Sequence, residues 1–143
     1  MSMYSTFETD NALEQSGVVV DYGPFRVTIA RAGGSNQPYT KALERAVQPY
    51  KRAIATNSLD EETQRKIMYK VYSETVVKNW EVKVGDEWRP GIEAPNGETL
   101  PFNPENVLLT FNNLPDLFAD LQQQAQNQVL YRREIMEDDA KNS

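Results

Sequence analysis

The most constraining feature of this chain is a single apolar stripe. Ile67, Met68, Val71, Tyr72, Thr75, Val76 and Trp80 recur at helical spacing, which spans about five turns at 3.6 residues per turn. Ser58 followed by Glu61 has the spacing of a capping box, and Asp60, Glu61 and Glu62 suit the positive end of a helix dipole. The pattern predicts one long helix ending near Lys78-Asn79. A stripe of this size must pack on something, so the rest of the chain can be read for what covers it.

Upstream, Val18-Val19-Val20 is β-branched, Tyr22-Gly23-Pro24 supplies turn chemistry, and Phe25 to Ala30 alternates. Phe25, Val27 and Ile29 would share one face of a strand, with Arg26, Thr28 and Ala30 on the other. Two strands alone are marginal in water, so the hairpin must pack on helices or meet further strands. After Ala32-Gly33-Gly34-Ser35-Asn36, Pro38 suits a first helical position, and Tyr39, Leu43, Ala46, Val47, Tyr50 and Ile54 keep helical phase. Pro49 lies inside that phase. It lacks an N–H and its ring clashes with the preceding turn, so a kink or break is expected near Val47-Gln48.

Downstream, Trp80 to Val84 reads as a short strand, with room for a second at 98–102. Asn103-Pro104-Glu105 starts a helix carrying Val107, Leu108 and Phe111. Pro115 opens a last helix with Leu117, Phe118, Leu121, Ala125 and Val129 in phase. Residues 122–128 are nearly all polar, so its distal turns are expected to project into solvent. The expected fold class is α+β and mainly helical: an N-terminal β-hairpin, about four helices, and room for a second short hairpin. Residues 1–16 are expected as a flexible arm, 17–136 as one compact domain with the projecting helix, and 137–143 as a disordered acidic tail.

The chain of 143 residues fits one domain. It has no histidine and no cysteine, so His-based nucleophile-base pairs, disulfides and thiolate metal sites cannot be built from it. Carboxylate pairs remain: Asp116 with Asp120, Glu61 with Glu62, and Asp86 with Glu87. Each has a plainer structural role, so no catalytic, cofactor or metal residue is expected. The Gly-Gly-Ser-Asn turn lacks the spacing of a phosphate loop. The start has neither the positive nor the apolar region of a secretory signal, and no apolar run approaches the ~18 residues that span a bilayer.

Charge is uneven. The net of −6 divides into −4 over residues 1–25, +5 over 26–52, zero over 53–80 and −7 over 81–143. Such asymmetry can orient a protein partner or a self-association contact. The basic stretch holds Arg26, Arg31, Lys41, Arg45, Lys51 and Arg52. The chain as a whole is acidic, with a pI of about 4.7, which argues against nucleic acid as the partner, and no membrane partner is expected.

The segments GPFRVTIARAGGSN (23–36), YTKALERAVQPYKRAI (39–54), SLDEETQRKIMYKVYSETVVKNWEV and LPFNPENVLLTFNNLPDLFADLQQQA together resemble the tail assembly chaperones of long-tailed bacteriophages. That pattern runs from a strand pair through an Ala-Gly-Gly turn, a Pro-Tyr helix and an acidic-start helix ending at tryptophan. A Pro-Phe helix start and a Leu-Pro-x-Leu-Phe-x-Asp helix follow. The resemblance covers about residues 17–126, and the stretch 85–97 is longer than the pattern requires.

The resemblance implies a non-enzymatic protein, without cofactor, that works in the host cytoplasm and is not kept in the mature virion. Its partners would be the tape measure protein and the tail tube protein, with self-association into a homo-oligomer. It would keep the tape measure soluble and promote tail-tube assembly. Two other roles stay open, a structural tail completion or connector component and an acidic inhibitor of a host protein. Any of them needs apolar surface beyond that used for self-packing. Trp88, Leu121, Ala125, Val129 and Met136 are the candidate contact residues.

Overall fold

The computed structural model describes residues 2–132. The long stripe becomes a helix that ends earlier than its apolar phase. Helix α5 spans Glu61–Thr75, and the β-branched run from Val76 passes into strand β3, Val77–Val84, carrying Trp80 into a sheet. Its cap is Asp60, whose side chain accepts from the Thr63 amide at 3.1 Å. Ser58 is not the cap, because its hydroxyl bonds Ala53 O and Thr56 instead.

The expected hairpin is present as β1 (Val18–Asp21) and β2 (Phe25–Ile29). It joins a four-stranded antiparallel sheet of order β1-β2-β3-β4, with β4 at Glu87–Pro90. Val27 sits opposite Trp80 and Phe25 opposite Val82, and the register shifts between Thr28 and Ile29. Past that irregularity Ala30 is fully buried, its amide donating to Val76 O at 2.7 Å, so it leaves the outer face expected for it. A second small hairpin pairs β5 (Ile92–Glu93) with β6 (Thr99–Leu100). It packs beside Trp80, whose indole N–H donates to Leu100 O at 3.1 Å.

Helix α3 spans Gln37–Val47, and Pro49 stops it as expected: a 3-10 turn at Gln48–Tyr50 leads into the short α4, Lys51–Ala55. Helix α6 is Pro104–Asn113, capped by Asn103 on the Asn106 amide at 2.8 Å, and α7 is Pro115–Gln126. The core lies where α3, α5, α6 and α7 meet the inner sheet face. Tyr69, Tyr72, Phe111 and Phe118 form an aromatic cluster there, with centroids 4.5–5.5 Å apart and tilted or edge-on rings. The α+β class is as expected; among the described residues the additional helices are the short α4 beyond Pro49 and two before the hairpin.

Both ends of the described chain differ from the sequence reading. Residues 1–16 carry α1 (Met3–Phe7) and α2 (Asn11–Ser16), the latter capped by Asp10 on the Leu13 amide at 3.0 Å. Glu14 of α2 is only 2% exposed. Its carboxylate accepts from Arg31 Nη1 and from Thr9 Oγ1, with Ser35 Oγ at 3.1 Å. Gly34 lies in the left-handed region at φ +54°, against that carboxylate, where a side chain would collide with it. Helix α7 does not project. Ala125 is fully buried and its carbonyl accepts from the Ala32 amide at 3.0 Å, after which the chain turns back through Gln128–Tyr131. Tyr131 is buried and donates to Ile29 O at 3.1 Å, which fastens this end to β2. The expected acidic tail, 137–143, lies outside the described residues.

Candidate polypeptide-binding surface

Pro49 interrupts the helix with a 3-10 turn, and the apolar phase that continues into α4 stays largely outside the core. Ile54 stays 46% exposed. Between α4 and α5 this opens a groove of about 280 Å³, lined chiefly by Val47, Ile54, Leu59, Ile67 and Met68. The flank beyond Ile67 is wider and more polar, at about 460 Å³, with Arg45, Tyr50, Lys66 and Lys70 along it. Lys41, Arg45, Lys51 and Arg52 are exposed and have no ion-pair partner among the described residues. The result is an apolar slot on a basic face of an acidic protein.

The candidate residues from the sequence do not come together in this groove. Leu121 and Ala125 are buried in the core, because positions one turn apart on α7 face α5 and the sheet while Gln123 and Gln126 face water. They are corrected from surface to core residues. Val129 is exposed beyond α7, and Met136 lies outside the described residues. Trp88 is half-buried on the outer sheet face, with the Arg26 guanidinium 4.3 Å from its ring centroid and Lys83 Nζ at 5.7 Å. Arg26 is also paired with Glu81 at 2.8 Å. Of the stripe Met68, Tyr72, Val76 and Trp80, only Met68 reaches the groove, and the other three are buried. The groove's signal in the sequence was the α3 stripe crossing Pro49, since a stripe that outlasts its helix has lost its packing partner.

The carboxylate pairs have structural partners. Asp120 accepts a short hydrogen bond from Tyr22 Oη, while Asp116 is exposed. Burial, then that bond and the Asp120 charge, push the Tyr22 phenol well above its usual range. Glu62 pairs with Lys66 at 3.3 Å on the α5 surface, Asp86 is exposed in the β3–β4 turn, and Glu87 starts β4 with Arg89 at 3.8 Å. Among the described residues no group of three or more His, Cys, Asp or Glu is placed to hold a metal ion. No helix among them is long and apolar enough to cross a membrane.

Fold and surface together define a small α+β protein with an unfilled apolar groove and a segregated charge pattern. Residues 34–142 match the family model described as YdaY prophage protein, which covers most of the chain including every lining residue of the groove. The chain belongs to the YdaY prophage protein family and is of phage origin. No curated protein matches it, and no solved structure does.

Proposed function

We propose that this prophage protein is a tail assembly chaperone. It binds the tape measure protein, keeps that long helical chain soluble and promotes polymerisation of tail-tube protein around it. It acts by binding rather than by catalysis, in the host cytoplasm, and is left out of the finished particle. The observation that carries the reading is the groove of Val47, Ile54, Leu59, Ile67 and Met68, which self-packing leaves open. A slot of this kind accepts the apolar face of an amphipathic helix. Phage membership and the resemblance of residues 17–126 to tail assembly chaperones agree with it.

Co-expression with the tape measure protein of the same phage tests the proposal. The expected outcome is a soluble complex that survives affinity capture in mild salt and is lost in Ile54→Glu. If the two proteins separate cleanly, the chaperone reading fails. Mass spectrometry of purified particles should also find no copies of this chain, and a fixed copy number would make it a tail component instead.

A further inference from the structure

The turn that joins β5 to β6 presents a reactive pair to solvent. Asn96-Gly97 is the one asparagine-glycine step in the sequence, and residues 95–99 are all exposed. The Gly97 amide donates to Ala94 O at 2.9 Å, closing a turn with Pro95 and Asn96 at its corner. Asn96 Oδ1 accepts from the Glu98 amide at 3.0 Å. That bond folds the carboxamide back toward the next peptide nitrogen and polarises its C=O, which makes Cγ a better electrophile. Gly97 has no side chain, and an added Cβ would meet nothing within 4 Å, so neither the residue nor a packed neighbour shields its nitrogen.

Other asparagines among the described residues lack this combination. Asn11, Asn79, Asn106, Asn112 and Asn113 lie inside helices or strands. Asn36 is 1% exposed, with its amide donating to Arg31 O and Thr75 O, and Asn103 precedes a proline, which has no N–H. Asn57 is followed by Ser58, whose amide is tied to Ala53 O. Asn127 makes the same kind of side-chain bond, accepting from the Val129 amide at 3.2 Å, but the bulkier Gln128 follows it.

We propose that Asn96 is a site of spontaneous deamidation in the folded protein. Gly97 N attacks Asn96 Cγ and gives up its proton to water, the carboxamide nitrogen leaves as ammonia, and a succinimide ring closes. Water then opens the ring at either carbonyl. One opening leaves aspartate, and the other routes the main chain through the side-chain carboxyl, leaving isoaspartate. The turn must first release Gly97 from Ala94, and the two-residue strands β5 and β6 hold it only lightly. The product adds a negative charge between Glu93 and Glu98. Isoaspartate also lengthens the backbone at the closed end of a hairpin whose Leu100 carbonyl holds the Trp80 indole. The change falls beside the slot of about 300 Å³ that Ile92, Pro95 and Leu100 form with Thr110 and Leu114. This chemistry belongs to the chain alone and does not depend on the chaperone reading.

Peptide mapping of the intact chain tests the proposal, after incubation in mildly alkaline buffer with circular dichroism showing that it stays folded. Digestion after glutamate separates Asn96 from Asn57 and Asn127. The Asn96 peptide should gain acid, with isoaspartate the larger product, read by isoaspartyl methyltransferase labelling. It should convert roughly tenfold or more faster than the Asn57 and Asn127 peptides. Asn96→Gln, which must close a larger ring to react, should remove the signal from that peptide and leave the other two unchanged. An Asn96 that keeps its amide in the folded chain would overturn the proposal. So would conversion no faster than at Asn127, or isoaspartate that persists at the same level in Asn96→Gln.

Discussion

Replacing Arg31 by methionine isolates the charged contact among those that fasten the N-terminal segment to the fold. Glu14 is 2% exposed and takes Arg31 as its charged partner, with Thr9 and Ser35 as neutral ones. Stripping the partner from a fully buried carboxylate costs about 3–5 kcal/mol. Two hydroxyls remain here, and the Arg31 side chain is 21% exposed, so water can reach the site. The expected loss is therefore about 2–3 kcal/mol, a large part of a typical domain's stability of roughly 5–15 kcal/mol. Urea unfolding followed by tryptophan fluorescence reads it, since Trp80 is buried at the sheet. Lys66→Met is the control, because its partner Glu62 is exposed and the pair is worth about 0–1 kcal/mol. The double variant Glu14→Met/Arg31→Met removes both charges and should recover much of the loss. The reasoning is refuted if Arg31→Met costs no more than Lys66→Met, or if the double variant shows no coupling beyond about 0.5 kcal/mol.

Two further outcomes follow from the core. Leu121→Ala should cost about 2–5 kcal/mol by calorimetry or urea unfolding, whereas Val129→Ala, at an exposed site, should stay within about 0.5 kcal/mol. The reverse order would restore the surface role expected of Leu121 from sequence. The phenols of Tyr22, Tyr39, Tyr72 and Tyr131 are all raised above 10.0, in each case mainly by burial. The unfolded chain ionises first, so stability is intact below pH 10 and falls as pH rises beyond it. Ultraviolet absorbance should show these phenols ionising together with unfolding.

Features written in local chemistry were legible in the sequence. The Val18–Ile29 hairpin, the Asn103 cap and the break at Pro49 depend on residues within a few positions of one another, and each is where the sequence placed it. Features that depend on distant partners were not. The α5 stripe keeps helical phase through to Trp80, yet the chain leaves the helix after Thr75 because Val77 and Trp80 pair with Ile29 and Val27 across the sheet. The Gln-rich end of α7 looked too polar to bury, but Leu121 and Ala125 alone hold its inner face, and Tyr131 reaches β2 from outside the helix. The polar N-terminal segment has no periodic signal because a buried ion pair and backbone bonds to Arg31 and Tyr131, rather than an apolar stripe, tie it down. The binding surface follows the same rule. The thinning stripe of α7 reads as a free face, yet Leu121 and Ala125 are buried and the unfilled slot lies between α4 and α5.

The sheet order has a consequence for synthesis. β2 takes β3 as its neighbour, and the first of those pairings joins Ile29 to Val77, with α3, α4 and α5 threaded between. As the chain leaves the ribosome, β2 therefore waits with one whole side of its backbone unmatched until residue 82 has emerged. An unmatched strand is a template for any other extended chain. Copies translated close together on one message would meet at their stickiest in that interval, and the speed at which the intervening helices collapse decides how long it lasts.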